Sequence, residues 1–90
     1  MNEQNQRAIT LDQLPKNQTA RVAGFAEDVT DLVARLREIG FAEDDEVELL
    51  HRGPLGGRPL CFRLNRTMIA LRPDEARAIY VSAIDGELGS

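Results

Sequence analysis

Glu46-Val47-Glu48-Leu49-Leu50-His51-Arg52, Gly53-Pro54-Leu55-Gly56-Gly57-Arg58-Pro59 and Leu60-Cys61-Phe62-Arg63-Leu64 follow one another directly, and the contrast between them decides the fold. In the first run Val47, Leu49 and His51 alternate with Glu46, Glu48, Leu50 and Arg52, the period-two pattern of a half-buried strand. Five of the next seven positions are Gly or Pro, which interrupt extended structure and mark a loop. Leu60–Leu64 then resumes as a strand. Strand, tight loop and strand make a hairpin, so the sheet is antiparallel.

On the C-terminal side, Asn65-Arg66 reads as a two-residue turn, because Asn tolerates the left-handed conformation such turns need. Thr67–Leu71 is the next strand. Arg72-Pro73-Asp74-Glu75-Ala76-Arg77 places Pro at a first helical position followed by acids, a one-turn helix. Residues 79–84 close the sheet, and 85–90 are a tail.

On the N-terminal side, Val29, Leu32, Val33, Leu36 and Ile39 recur at intervals of three and four and predict a helix over Thr30–Ile39. Asp28 or Thr30 is placed to cap its first amides, and Gly40 stands where a left-handed residue ends a helix, with Phe41 folding back. Thr19–Ala26 reads as a strand with Ala20, Val22 and Gly24 on one face and Phe25 on the other. Thr10–Leu14 is a short turn closed by Pro15, and residues 1–8 are a polar tail. The expectation is one α+β domain over residues 9–84: a small, partly open SH3-like barrel of five strands with its main helix after the first.

Fifteen acidic against eleven basic residues give a net charge of −4. Arg35, Arg37, Arg52, Arg58, Arg63, Arg66, Arg72 and Arg77 read as scattered among acids, so no basic stripe for nucleic acid is expected. Cys61 stands alone and excludes an intramolecular disulfide. No apolar run approaches the roughly 18 residues of a bilayer span. These features point to a cytoplasmic protein with no nucleic-acid partner and no direct membrane insertion.

Candidate chemistry is sparse. His51 is the only histidine and reads as a structural residue beside Leu49. A nucleophile pair of Cys61 and His51 lacks an orienting third group. One His, one Cys and the acidic run Glu43-Asp44-Asp45-Glu46 do not compose a closed tetrahedral site, and that run reads as a solvated turn. The glycine loop lacks the Lys and Ser/Thr of a phosphate cradle. No catalytic residue, metal ligand or cofactor is expected. Leu55 either caps the barrel or, with Pro54, Gly56, Gly57 and Arg58, forms a loop for docking a partner.

The order Ala20-Arg21-Val22-Ala23-Gly24-Phe25, Arg35-Leu36-Arg37-Glu38-Ile39-Gly40-Phe41, Gly53-Pro54-Leu55-Gly56-Gly57, Ile69-Ala70-Leu71-Arg72, Glu75-Ala76 and Ile79-Tyr80-Val81 resembles the FeoA family of bacterial ferrous-iron transport accessory proteins. The likeness spans Leu11–Val81. It differs from the family's usual pattern in Glu43-Asp44, where Pro-Gly is common, and in a loop one residue longer at Arg58. The resemblance implies an SH3-like barrel and no catalytic residues. The partner it implies is a membrane ferrous-iron transporter with a cytoplasmic G domain. Two alternatives stand beside it: a metal-responsive barrel that itself binds iron or zinc, and a free-standing relative of the C-terminal module of iron-dependent repressors. Weak self-association is a further open alternative.

Overall fold

The computed structural model describes residues 8–83. The two expected tails, apart from Ala8, and Ile84 lie outside the described residues. The elements run β1 (Ile9–Thr10), a 3₁₀ turn (Leu11–Gln13), β2 (Thr19–Phe25), α1 (Thr30–Ile39), β3 (Glu46–Gly53), β4 (Gly57–Leu64), β5 (Thr67–Leu71), α2 (Pro73–Ala76) and β6 (Ile79–Ala83). All pairings between strands are antiparallel, in the order β1-β6-β2-β3-β4-β5. The sheet has six strands rather than the five expected. The additional one, β1, is two residues long and exists only through pairing with Tyr80 and Val81.

The inner faces of the strands supply the core: Ala20 and Val22 from β2, Val47 and Leu49 from β3, Leu60, Phe62 and Leu64 from β4, and Ile79 and Val81 from β6. Leu11 and Leu14 close one end and are fully buried. No polar or charged side chain is buried among the described residues.

Three register shifts break the simple alternation; one falls at the hairpin end, between Arg52 and Gly53, and the other two are single-residue bulges. Val22 pairs with Val81 and Gly24 with Tyr80, leaving Ala23 as the extra residue. Beyond it Phe25 comes to the side of Ile79 and packs on the core, rather than lying on the outer face as its position in the alternation suggested. Leu49 pairs with Phe62 and His51 with Cys61, leaving Leu50 as the extra residue. The extra residue flips every later side chain to the opposite face. His51, expected beside Leu49, is therefore exposed.

Helix α1 has the expected bounds, and its end is a Schellman motif. The Gly40 amide donates to the Arg37 carbonyl at 3.1 Å and the Phe41 amide to the Leu36 carbonyl at 3.1 Å, with Gly40 at φ +130°. Phe41 and Leu36 are both buried and complete the motif's apolar contact. Neither Asp28 nor Thr30 caps the helix; the N-cap residue is Val29 and makes no side-chain hydrogen bond. Leu36 alone is fully buried from the predicted stripe, while Ile39 is 52% exposed. The helix therefore buries a narrow face against the core. Among the described residues, no helix is long and apolar enough to cross a membrane.

Candidate functional site

The hairpin of β3 and β4 reaches further than expected. Its strands pair as far as Gly53 and Gly57, across a second register shift that leaves Arg58 and Pro59 without partners on β3, so the seven-residue glycine segment narrows to a turn of Pro54, Leu55 and Gly56. The sequence obscured this because the last rungs are carried by backbone, with no side-chain pattern to reveal them. Gly56 and Gly57 have φ of +70° and +86°, which L side chains adopt at a cost. At Gly53 the constraint is space: a Cβ there would lie 2.3 Å from the Arg58 carbonyl oxygen. The Leu55 amide donates to that same carbonyl at 3.4 Å.

This backbone presents Leu55 to solvent with 74% exposure, so it does not cap the barrel. Pro54, Gly56, Arg58 and Pro59 are also exposed, and Gly57 is half-buried. Arg58 lies near the start of β4 and is exposed. The five residues singled out from sequence thus share one protruding tip, and its chemistry is an apolar side chain beside one positive charge.

The remaining candidates are more constrained. His51 and Cys61 occupy facing register positions on the outer sheet face, a consequence of the Leu50 bulge. No group of three or more His, Cys, Asp or Glu converges among the described residues. The acidic run is a turn after α1. Glu43 accepts two hydrogen bonds from Arg37, at 3.0 and 3.2 Å, and Asp45 accepts one from the Ala42 amide at 2.9 Å. Glu46 lies 4.0 Å from Arg21. The Arg37 hydrogen bond holds the Glu43 carboxyl below its ordinary range and raises Arg37 in turn. Arg37 also lies over the Phe25 ring at 4.3 Å, which ties α1 to β2. Asp44 adopts φ +75°, taking the left-handed position in this turn without a glycine.

Two surface features escaped the sequence reading. A shallow groove of about 430 Å³ lies beside α1, lined by Leu32, Arg35, Leu36, Glu38, Ile39 and Glu75, with an Arg35–Glu75 ion pair of 3.5 Å. The other feature corrects the expectation of scattered arginines. Residues 52–72 contain five arginines and no acid, and they fold together as the end of β3 with β4 and β5. A count over a sliding window of the sequence would have found them.

The FeoA domain profile matches residues 9–83. No curated protein matches the chain. Among solved structures, FeoA of Stenotrophomonas maltophilia in complex with zinc, a prokaryotic SH3 domain protein, is 36% identical. It aligns over 82% of this chain and 89% of its own, with a TM-score of 0.72. FeoA of Chlorobium tepidum is 26% identical over 90% of this chain and 75% of its own, with a TM-score of 0.75. A manganese-dependent transcriptional repressor shares the fold at 20% identity and a TM-score of 0.78, over 88% of this chain and 43% of the repressor. A profile match over nearly the whole described chain, on an antiparallel SH3-like sheet with one main helix, establishes that the chain belongs to the FeoA domain family, which is linked to ferrous iron transport.

Proposed function

We propose that this chain is a cytoplasmic accessory protein of bacterial ferrous-iron uptake that docks the membrane iron transporter, a protein with a cytoplasmic G domain, and performs no catalysis itself. The hairpin tip of Pro54, Leu55, Gly56, Gly57 and Arg58 is the docking element. The observation that carries this reading is Leu55, an apolar side chain left 74% exposed on a backbone built to project it. Apolar side chains held out on a protruding loop are often interface anchors, and losing an anchor commonly costs about 2 kcal/mol of binding, roughly thirtyfold in affinity. The zinc-bound Stenotrophomonas protein, put forward as an activating factor of ferrous iron transport, supports the same assignment. Replacing Leu55 with Asp in cells is the test. Iron uptake through the transporter falls to the level of a strain lacking the chain, while the variant accumulates normally. Unchanged uptake by a folded variant places docking elsewhere.

The zinc in that relative also favours a second reading, in which the chain binds metal itself. Equilibrium dialysis of the purified full chain against ferrous iron and zinc separates the two. Tight stoichiometric binding, lost on replacing His51 or the acidic run Glu43–Glu46, supports the metal-responsive reading.

A further inference from the structure

Charge is sorted by region in this fold. Residues 27–48 hold nine acids and two arginines, whereas residues 52–72 hold five arginines and no acid. Arg21, Arg35, Arg37 and Arg77 each lie within 4.0 Å of a carboxylate, and Arg63 pairs with Glu48 across β3 and β4. Arg52, Arg58, Arg66 and Arg72 have no acidic partner among the described residues.

Two of these bracket an open sheet edge. Among the described residues, strand β5 pairs only with β4, and Arg66 and Arg72 stand immediately before and after it, both exposed. The five residues of β5 between them set them roughly 20 Å apart along the extended chain. The turn between β4 and β5 has two residues, Asn65 and Arg66, so its closing pair Leu64 and Thr67 is the hydrogen-bonded kind. By alternation the pairs Arg63–Met68 and Cys61–Ala70 are not, and the Met68 and Ala70 amides and carbonyls point toward the open edge. Met68 adds a side chain that is 71% exposed.

We propose that the β5 edge receives an acidic, extended segment of a partner protein as a seventh strand. Backbone hydrogen bonds to Met68 and Ala70 supply the pairing, and carboxylates near the two ends of the segment meet Arg66 and Arg72. Charge also disfavours pairing of this edge with itself. Antiparallel pairing of β5 with β5 of a second copy would bring Arg66 of one toward Arg72 of the other, and like charges placed opposite are destabilising. This surface is distinct from the Leu55 tip, and its test does not depend on that reading.

The experiment titrates the ¹⁵N-labelled full chain with a short synthetic peptide alternating Glu with Val and Thr. Controls are the same peptide with Lys for Glu, and a short DNA duplex; sedimentation follows the chain alone. The proposal expects shifts and slowed amide exchange centred on Met68 and Ala70, weakening with added salt as screening shortens. Arg66→Glu with Arg72→Glu weakens binding by roughly tenfold or more. Met68→Pro removes an outward amide while sparing the ladder to β4, and abolishes the protection. The proposal is overturned by silence at β5 on adding the acidic peptide, an equal response to the lysine peptide, or tighter binding of DNA. Self-association through β5 overturns it as well, because the arginines then serve only to decorate an edge.

Discussion

The base and the tip of the β3–β4 hairpin lie within a few rungs of each other, yet they put their side chains to opposite uses. At the base, Val47, Leu49, Phe62 and Leu64 face inward and are buried. At the tip, glycines fix the backbone and every side chain from Pro54 to Pro59 stands in solvent except where glycine has none. The Leu50 bulge separates the two regimes by turning the strand's faces over. Burial at the base yields stability, roughly 1.5–3 kcal/mol for each large apolar side chain. Leu55 gains none of that, so its presence is not explained by the fold's own energetics.

The comparison breaks most visibly at Phe62. Phe62→Ala leaves a cavity at the centre of the sheet and is expected to cost about 3–5 kcal/mol, much of the total stability of a domain this size. A denaturant titration reads this directly. A loss below about 1 kcal/mol would mean the base is not the core.

Gly53 comes next, because it stands where base meets tip. A Cβ there collides with backbone of Arg58 and Pro59, which no side-chain rotation relieves. Gly53→Ala should destabilise by about 1–3 kcal/mol through forced separation of the strands. The amide shifts should be confined to the last rungs, with Phe62 and Leu49 unmoved.

Leu55→Asp is expected to change stability by no more than about 0.5 kcal/mol, the usual range for an exposed site. A much lower melting temperature would make Leu55 part of the core.

Acid sharpens the comparison from a different side, since residues 52–72 contain no carboxylate. Glu43 is held below its ordinary range by Arg37. Its folded pKa is lowered, so its contribution is present above the ordinary glutamate value of about 4.3 and is lost as pH falls through the lower folded value. A carbonyl-carbon titration should place the Glu43 midpoint below the ordinary value. Arg37→Gln should return it there, while tip resonances from Gly53 to Pro59 stay still.

What the sequence disclosed follows from how far each signal reaches. Helix α1 and its Gly40 terminus were legible because periodicity and capping are written within ten neighbouring residues. So was the turn at Asn65, whose φ is +55°. The bulges at Ala23 and Leu50 were not, since nothing in strict alternation marks one inserted residue, and the faces of Phe25 and His51 were misassigned in consequence. Strand β1 was missed because two residues acquire strand character only from Tyr80 and Val81, distant in sequence. Ile39 satisfied the helical stripe but lines the groove and stays half exposed, because the helix buries only the narrow face that carries Leu36. The tip residues were singled out by composition; their exposure required the fold.

The most direct measurement follows the amides of the ¹⁵N-labelled full chain while the transporter's cytoplasmic portion is added. The account predicts perturbation confined to Gly53–Pro59 at the hairpin tip, with Val47, Leu49, Phe62 and Leu64 unmoved, and loss of that footprint in Leu55→Asp. A footprint on the α1 groove around Ile39, or one that survives Leu55→Asp unchanged, would contradict it.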